Sequence, residues 1–178
     1  MELSEIIGVD AVRAPLRATS KKRLLQDLAD MAEQVYRLPP PAVYKALMDR
    51  ETLGPTGVGR GVAIPHARFA GVPRVTGLFT RLEKPVDFEA IDRQPVDLVF
   101  ALFAPESAGA EHLKALARVS RTLRSDAVCA KLRSTFDPSA LYAILTDVRP
   151  GDPANGAPGT RTQPTPGQPA ARGPAPLR

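Results

Sequence analysis

The chain has 178 residues, 43% hydrophobic and 24% charged, which provides apolar mass for one buried core at an ordinary charge density for soluble proteins. No apolar run approaches the ~20 residues of a membrane helix. The start MELSEIIGVD has no basic-then-apolar leader pattern and Cys129 is the sole cysteine, so a membrane protein and a disulfide scaffold are set aside for a cytoplasmic one.

In chain order, Ala11 to Ala18 alternates Val12, Ala14 and Leu16 with Arg13 and Arg17, which predicts a half-buried strand. Pro15 places it at a sheet edge, since proline cannot donate to a ladder. Ser20 is a helix N-cap, followed by Leu24, Leu25, Leu28, Met31, Ala32 and Val35 at helical spacing. After Leu38-Pro39-Pro40-Pro41 a second helix is expected from about Ala42 to Leu53, opened by proline. Strands are predicted over Val62–Pro65, Val75–Leu82 and Val96–Ala104. The last, VDLVFALFA, is nearly continuous in apolar residues and reads as a central strand covered on both faces. Helical spacing returns over 108–124, and shorter helices follow at about Asp126–Ser134 and Pro138–Thr146. Helices before and after the strands imply an α/β fold, a mixed sheet flanked by helices on both faces.

From Arg149 the composition changes to RPGDPANGAPGTRTQPTPGQPAARGPAPLR, built mostly of proline, glycine, alanine and polar residues. Such a stretch cannot bury enough apolar surface to offset its ordering entropy. Residues 1–148 are therefore expected to form one domain and 149–178 a disordered tail. The tail carries Arg149, Arg161, Arg172 and Arg178 against Asp152 alone, so it supplies much of the net charge of +5. A basic excess concentrated there is weak support for a nucleic-acid groove in the body.

The stretch GPTGVGRGVAIPHARF carries the chemistry. It lacks the Lys-Ser/Thr pair of a nucleotide P-loop, because Val62-Ala63 follows Gly61. It also has a helix before and a strand after, the reverse of a dinucleotide fingerprint. Gly57, Gly59 and Gly61 tolerate positive φ and could turn several amides toward an anion, aided by the Thr56 hydroxyl and the Arg50 guanidinium. A tight connection needing glycine for steric reasons alone explains the pattern equally well. His66 ends the apolar strand beside this turn, immediately after Pro65. A neutral imidazole there is a competent nucleophile toward phosphorus, although an isolated histidine is more often a surface or core residue.

His112 falls in the first turn or so of the helix after the central strand. The helix dipole disfavours a cationic ring there, leaving a neutral imidazole able to bond a phosphate or His66, or simply an exposed polar residue. No third ligand stands at metal spacing from either histidine, and Cys129 lies in a helical run, so neither metal nor cofactor is expected.

LMDRETLGPTGVGRGVAIPHAR, LEKPVDFEAIDRQPVDLVFALFAP and HLKALARVSRTLR together resemble the type-2 IIA domains of the bacterial phosphotransferase system, most of all the nitrogen-regulatory type. The resemblance runs from about Leu3 to Val148. It implies a mixed sheet flanked by helices and phosphorylation of His66 by a phosphohistidine carrier protein of the HPr or NPr kind. Arg50 matches the family's arginine near the phosphohistidine, and His112 its second active-site histidine. Regulation would then follow phosphorylation state, with unknown targets. A sugar-specific IIA component and a non-catalytic interaction module are the alternatives.

Two positions depart from the family pattern. Pro55 stands where a small polar residue is usual and removes an N–H donor. Arg60 stands where asparagine is frequent, and is expected to add a cation beside the phosphate. Val62 and Ile64 are expected in the core, while Phe69 fits either the core or a docking face.

Overall fold

A computed structural model describes residues 1–147; the expected tail lies outside the described residues. After two short 3-10 turns at Leu3–Glu5 and Val9–Ala11, the chain forms β1 (Val12–Leu16), α1 (Lys21–Tyr36) and α2 (Pro40–Thr52). Then come β2 (Gly57–Gly59), β3 (Val62–Ala63), β4 (His66–Arg68), β5 (Thr76–Val86) and β6 (Val96–Ala104). It closes with α3 (Gly109–Arg124), α4 (Asp126–Leu132) and α5 (Pro138–Thr146). The predicted central strand and last helix match in both bounds. The second helix starts two residues earlier than expected, with Pro40 in its first turn.

Among the described residues the sheet has six strands in the order β1-β5-β6-β3-β2, with β4 also on β6. β1 runs parallel to β5, β5 antiparallel to β6, and β3 and β4 both parallel to β6. The result is a mixed sheet flanked by helices. β1 is an edge strand, as Pro15 required. Every residue from Leu98 to Ala104 in β6 is fully buried, so side chains on both faces of the strand are covered. Phe79, Phe88, Phe100 and Phe103 are buried as completely, each contributing roughly 1.5–3 kcal/mol of apolar transfer.

The strand expected over Val62–Pro65 is instead interrupted. β3 pairs Val62 with Leu98 and Ala63 with Val99, and β4 pairs His66 with Leu102 and Arg68 with Ala104. The offset is the same throughout, so β3 and β4 are one strand broken at Ile64-Pro65. Proline has no N–H to give the ladder. Its carbonyl still accepts from the Leu102 amide at 2.9 Å, which keeps the register across the break. His66 thus opens a new strand segment and does not close the previous one.

The helices follow their sequence signals. Ser20 Oγ accepts from the Arg23 amide at 3.1 Å, and α1 buries Leu24, Leu25, Leu28, Met31 and Ala32. α2 packs against α1 and reaches β4, while α3 packs on β6. Those two packings bring the end of α2 and the start of α3 to His66.

Candidate functional site

His66 is held at both ring nitrogens. Its Nδ1 lies 2.8 Å from the Ile64 carbonyl oxygen, which can only accept, so Nδ1 carries the proton. Nε2 is then left with a lone pair, and Arg50 Nε donates to it at 3.2 Å from the last turn of α2. Arg50 is itself fixed by an Nη1 bond of 3.0 Å to the Gly54 carbonyl. Burial holds the His66 pKa below its usual value, opposed by the Ile64 bond, with Arg50 lowering it further and Glu51 raising it. A neutral, singly protonated ring with Nε2 unprotonated is the outcome.

His112 reaches the same place from the first turn of α3. The two rings meet edge to face, with centroids 5.6 Å apart and planes at 62°. His112 is buried rather than an exposed helix residue, being only 6% accessible. Burial, then the charges of His66 and Arg68, push its pKa down to about 4. Its Nε2 has no hydrogen-bond partner among the described residues.

Both histidines line an open cavity of about 880 Å³ together with Arg50 and Arg68. Lys45 and Asp49 also line it and pair with each other at 2.6 Å. Arg50 and Arg68 form no carboxylate ion pair among the described residues, so two guanidinium groups face the space beside His66. Leu53 and Leu113 stand on the rim with 83% and 68% of their surface exposed, unusual for leucine. Phe69 joins them half-buried, its ring edge-on to Phe103 at 6.3 Å, while Val62 and Ile64 are core residues.

The glycine turn does something other than line this cavity. Gly57–Gly59 form β2, paired antiparallel with β3, and Arg60 and Gly61 make the turn with φ of 55° and 77°. Gly57 is packed so closely that a Cβ would stand 2.7 Å from Ala90 Cβ, and one on Gly61 would stand 2.9 Å from Asp97 Oδ1. The steric explanation accounts for these glycines, and none of Gly57, Gly59 and Gly61 lines the cavity with His66. The Thr56 hydroxyl is likewise bonded to Glu51, and Thr56 does not line it either.

Arg60 is also placed differently from expectation. Its Nη1 pairs with Asp126 Oδ1 at 2.6 Å and its Nη2 donates to the Arg124 carbonyl, which ties the hairpin to the α3–α4 junction. It borders a smaller recess with Val58, Ser120 and Arg124, not the His66 cavity. Pro55 is not among the residues lining the cavity, so its missing N–H removes no donor there.

Arg68 is not among the residues expected at the site, and Leu113, which helical spacing groups with the apolar residues of 108–124, is exposed, as is Leu53 at the end of the second helix. Arg68 had a usable signal: on a strand, residues two apart share a face, so it accompanies His66. Leu53 and Leu113 had none, since exposure of a leucine depends on the packing of its helix.

The descriptor "Phosphoenolpyruvate-dependent sugar phosphotransferase system, EIIA 2" belongs to the family profile matching residues 5–148. A nitrogen regulatory protein of Bradyrhizobium diazoefficiens is 47% identical over 145 residues, covering 82% of this chain and 95% of its own. One from Escherichia coli is 38% identical, covering 83% and 91%. The crystal structure of nitrogen regulatory protein IIA-Ntr from Neisseria meningitidis superposes with a TM-score of 0.77 at 38% identity, over 81% of this chain and 99% of that one. No helix among the described residues is long and apolar enough to cross a membrane. Fold and relatives show that the chain belongs to the EIIA type-2 family of the phosphotransferase system, within its nitrogen-regulatory branch.

Proposed function

We propose that this protein accepts a phosphoryl group on His66 Nε2 from a phosphohistidine carrier protein of the HPr or NPr kind and regulates partners according to its phosphorylation state. The observation that carries this reading is the tautomer. With Nδ1–H committed to the Ile64 carbonyl, the Nε2 lone pair is the ring's nucleophile and faces the cavity side where Arg50 stands.

In the transfer, that lone pair forms a bond to phosphorus while the carrier's phosphorus–nitrogen bond breaks, and its electron pair returns to the carrier's imidazole. No proton need leave His66. Arg50 Nε, released from the lone pair, is within reach of a phosphoryl oxygen, and Arg68 faces the same space. Fixed donors aimed at charge that develops on transferring oxygens are the main catalytic resource in such reactions. The neutral His112 Nε2 is a third candidate donor once its ring carries the proton there. The exposed Leu53 and Leu113, with the half-buried Phe69, offer an apolar rim on which the carrier can seat. A phosphoryl group then adds about two negative charges at the centre of that rim, enough to change which surfaces bind it.

The test is incubation with phosphorylated carrier, followed by intact mass and acid-labile label. Wild type should gain one phosphoryl group and His66→Ala none. An unlabelled wild type would overturn the proposal and leave an interaction module. Onward transfer to a cysteine of a sugar transporter domain would make the protein a sugar-specific component. Pull-downs from both phosphorylation states should recover different partners.

A further inference from the structure

Of the two contacts that orient His66, one comes from Arg50 and the other from Ile64, whose amide bonds to Thr56, and a single buried carboxylate pins the segment from Arg50 to Thr56. Glu51 is almost inaccessible, its side chain 4% exposed. Its Oε2 pairs with Lys21 Nζ at 2.8 Å, tying the end of α2 to the first turn of α1. Its Oε1 accepts from the Thr56 hydroxyl, and Oε2 lies 3.4 Å from the Thr56 amide. Glu51 therefore holds both ends of the 51–56 turn.

From that turn, two hydrogen-bonded paths reach the imidazole. On one side Gly54 O accepts from Arg50 Nη1, and Arg50 Nε donates to His66 Nε2. On the other, Thr56 O accepts from the Ile64 amide at 2.9 Å, and Ile64 O accepts from His66 Nδ1. We propose that Glu51 is a positioning residue for the phosphoacceptor: through Thr56 and the 51–56 turn it sets the place of Arg50 and of the Ile64 carbonyl, and thereby the tautomer and aim of His66. Thr56 then serves the reaction by gripping Glu51, not by touching phosphate. Lys21, with its ammonium also 4.8 Å from the centre of the Phe88 ring, holds the carboxylate in place.

The inference rests on His66 being the phosphoacceptor, but its primary readout does not. Nitrogen-15 NMR of the histidine rings reports the tautomer directly in the full chain. Wild type should show His66 protonated at Nδ1. Thr56→Val keeps the side-chain shape and the Glu51 charge but removes the hydroxyl link, so it should admit the Nε2–H tautomer. Glu51→Gln should do the same, and Thr56→Ser should restore the wild-type spectrum. With phosphorylated carrier, the single-turnover rate of Thr56→Val should fall about tenfold or more while half-saturation by the carrier shifts less than about twofold, since a displaced nucleophile loses rate before affinity. Folded variants that keep the wild-type tautomer would overturn the positioning role, whatever the transfer rate. If wild type takes no phosphoryl group, the functional reading fails and the tautomer alone decides the role of Glu51.

Discussion

Replacing His112 with glutamine should flatten the acid side of the stability profile. The folded protein holds this ring at about 4, against 6.5 for an unperturbed histidine. Between those values the unfolded chain binds a proton that the folded one refuses, so stability is complete above about pH 6.5 and is lost as pH falls toward 4. At about 1.4 kcal/mol per tenfold difference in proton affinity, the gap amounts to about 3 kcal/mol. That is a large part of the 5–15 kcal/mol by which domains are roughly held together. His66, also lowered, works in the same direction but is present in both proteins. Glutamine keeps a polar atom at the ring's position and never charges. Urea unfolding followed by circular dichroism between about pH 7 and pH 4 should therefore show wild type losing about 3 kcal/mol more than His112→Gln. Parallel curves would mean that His112 accepts a proton in place, and the neutral ring assumed for the site would be wrong.

Leu113→Asp changes a rim residue that is 68% exposed, so the urea midpoint should stay within the equivalent of about 0.5 kcal/mol while carrier affinity falls roughly tenfold by calorimetric titration. Arg60→Asn removes an exposed ion pair worth about 0–1 kcal/mol but suits the positive φ better, so stability should move by less than about 1 kcal/mol in either direction. Its phosphoryl transfer rate should match wild type at low and high salt, because Arg60 lies outside the cavity. Gly57→Ala drives a Cβ to 2.7 Å from Ala90 Cβ and 2.9 Å from its Cα, and should cost roughly 1–3 kcal/mol in a thermal or urea melt. An unchanged melt would show that the 90–92 segment yields freely.

The parts legible in the sequence are those whose pattern is local. Ser20 with its leucine spacing, and Pro138 at the start of α5, announce helices by capping and periodicity alone. β6 declares its burial through an unbroken apolar run. β2 and β4, three residues each, carry no periodicity and exist because β3 and β6 offer them a ladder, so only the tertiary pairing reveals them. The candidate site was legible in its two histidines and Arg50 but not in the residues that hold them. His66, His112 and Arg50 do meet at one cavity. The glycines misled because sequence shows freedom of φ but not the direction in which the amides point. Arg60 misled because its partner, Asp126, stands 66 residues away in sequence. Glu51 gave no signal at all, for a charged residue beside an arginine at a helix end reads as solvated surface until its burial is seen.

The unbroken register across Ile64-Pro65 has a kinetic consequence. His66 sits on β4, hydrogen-bonded along the fully buried part of β6, not on a loop, so the donor proposed above meets an acceptor that is already in place. No ordering step stands between collision and reaction on this side of the complex. On the function proposed above, the tempo of transfer is then governed by how often the two surfaces find each other, and by abundance of the donor, rather than by any rearrangement here.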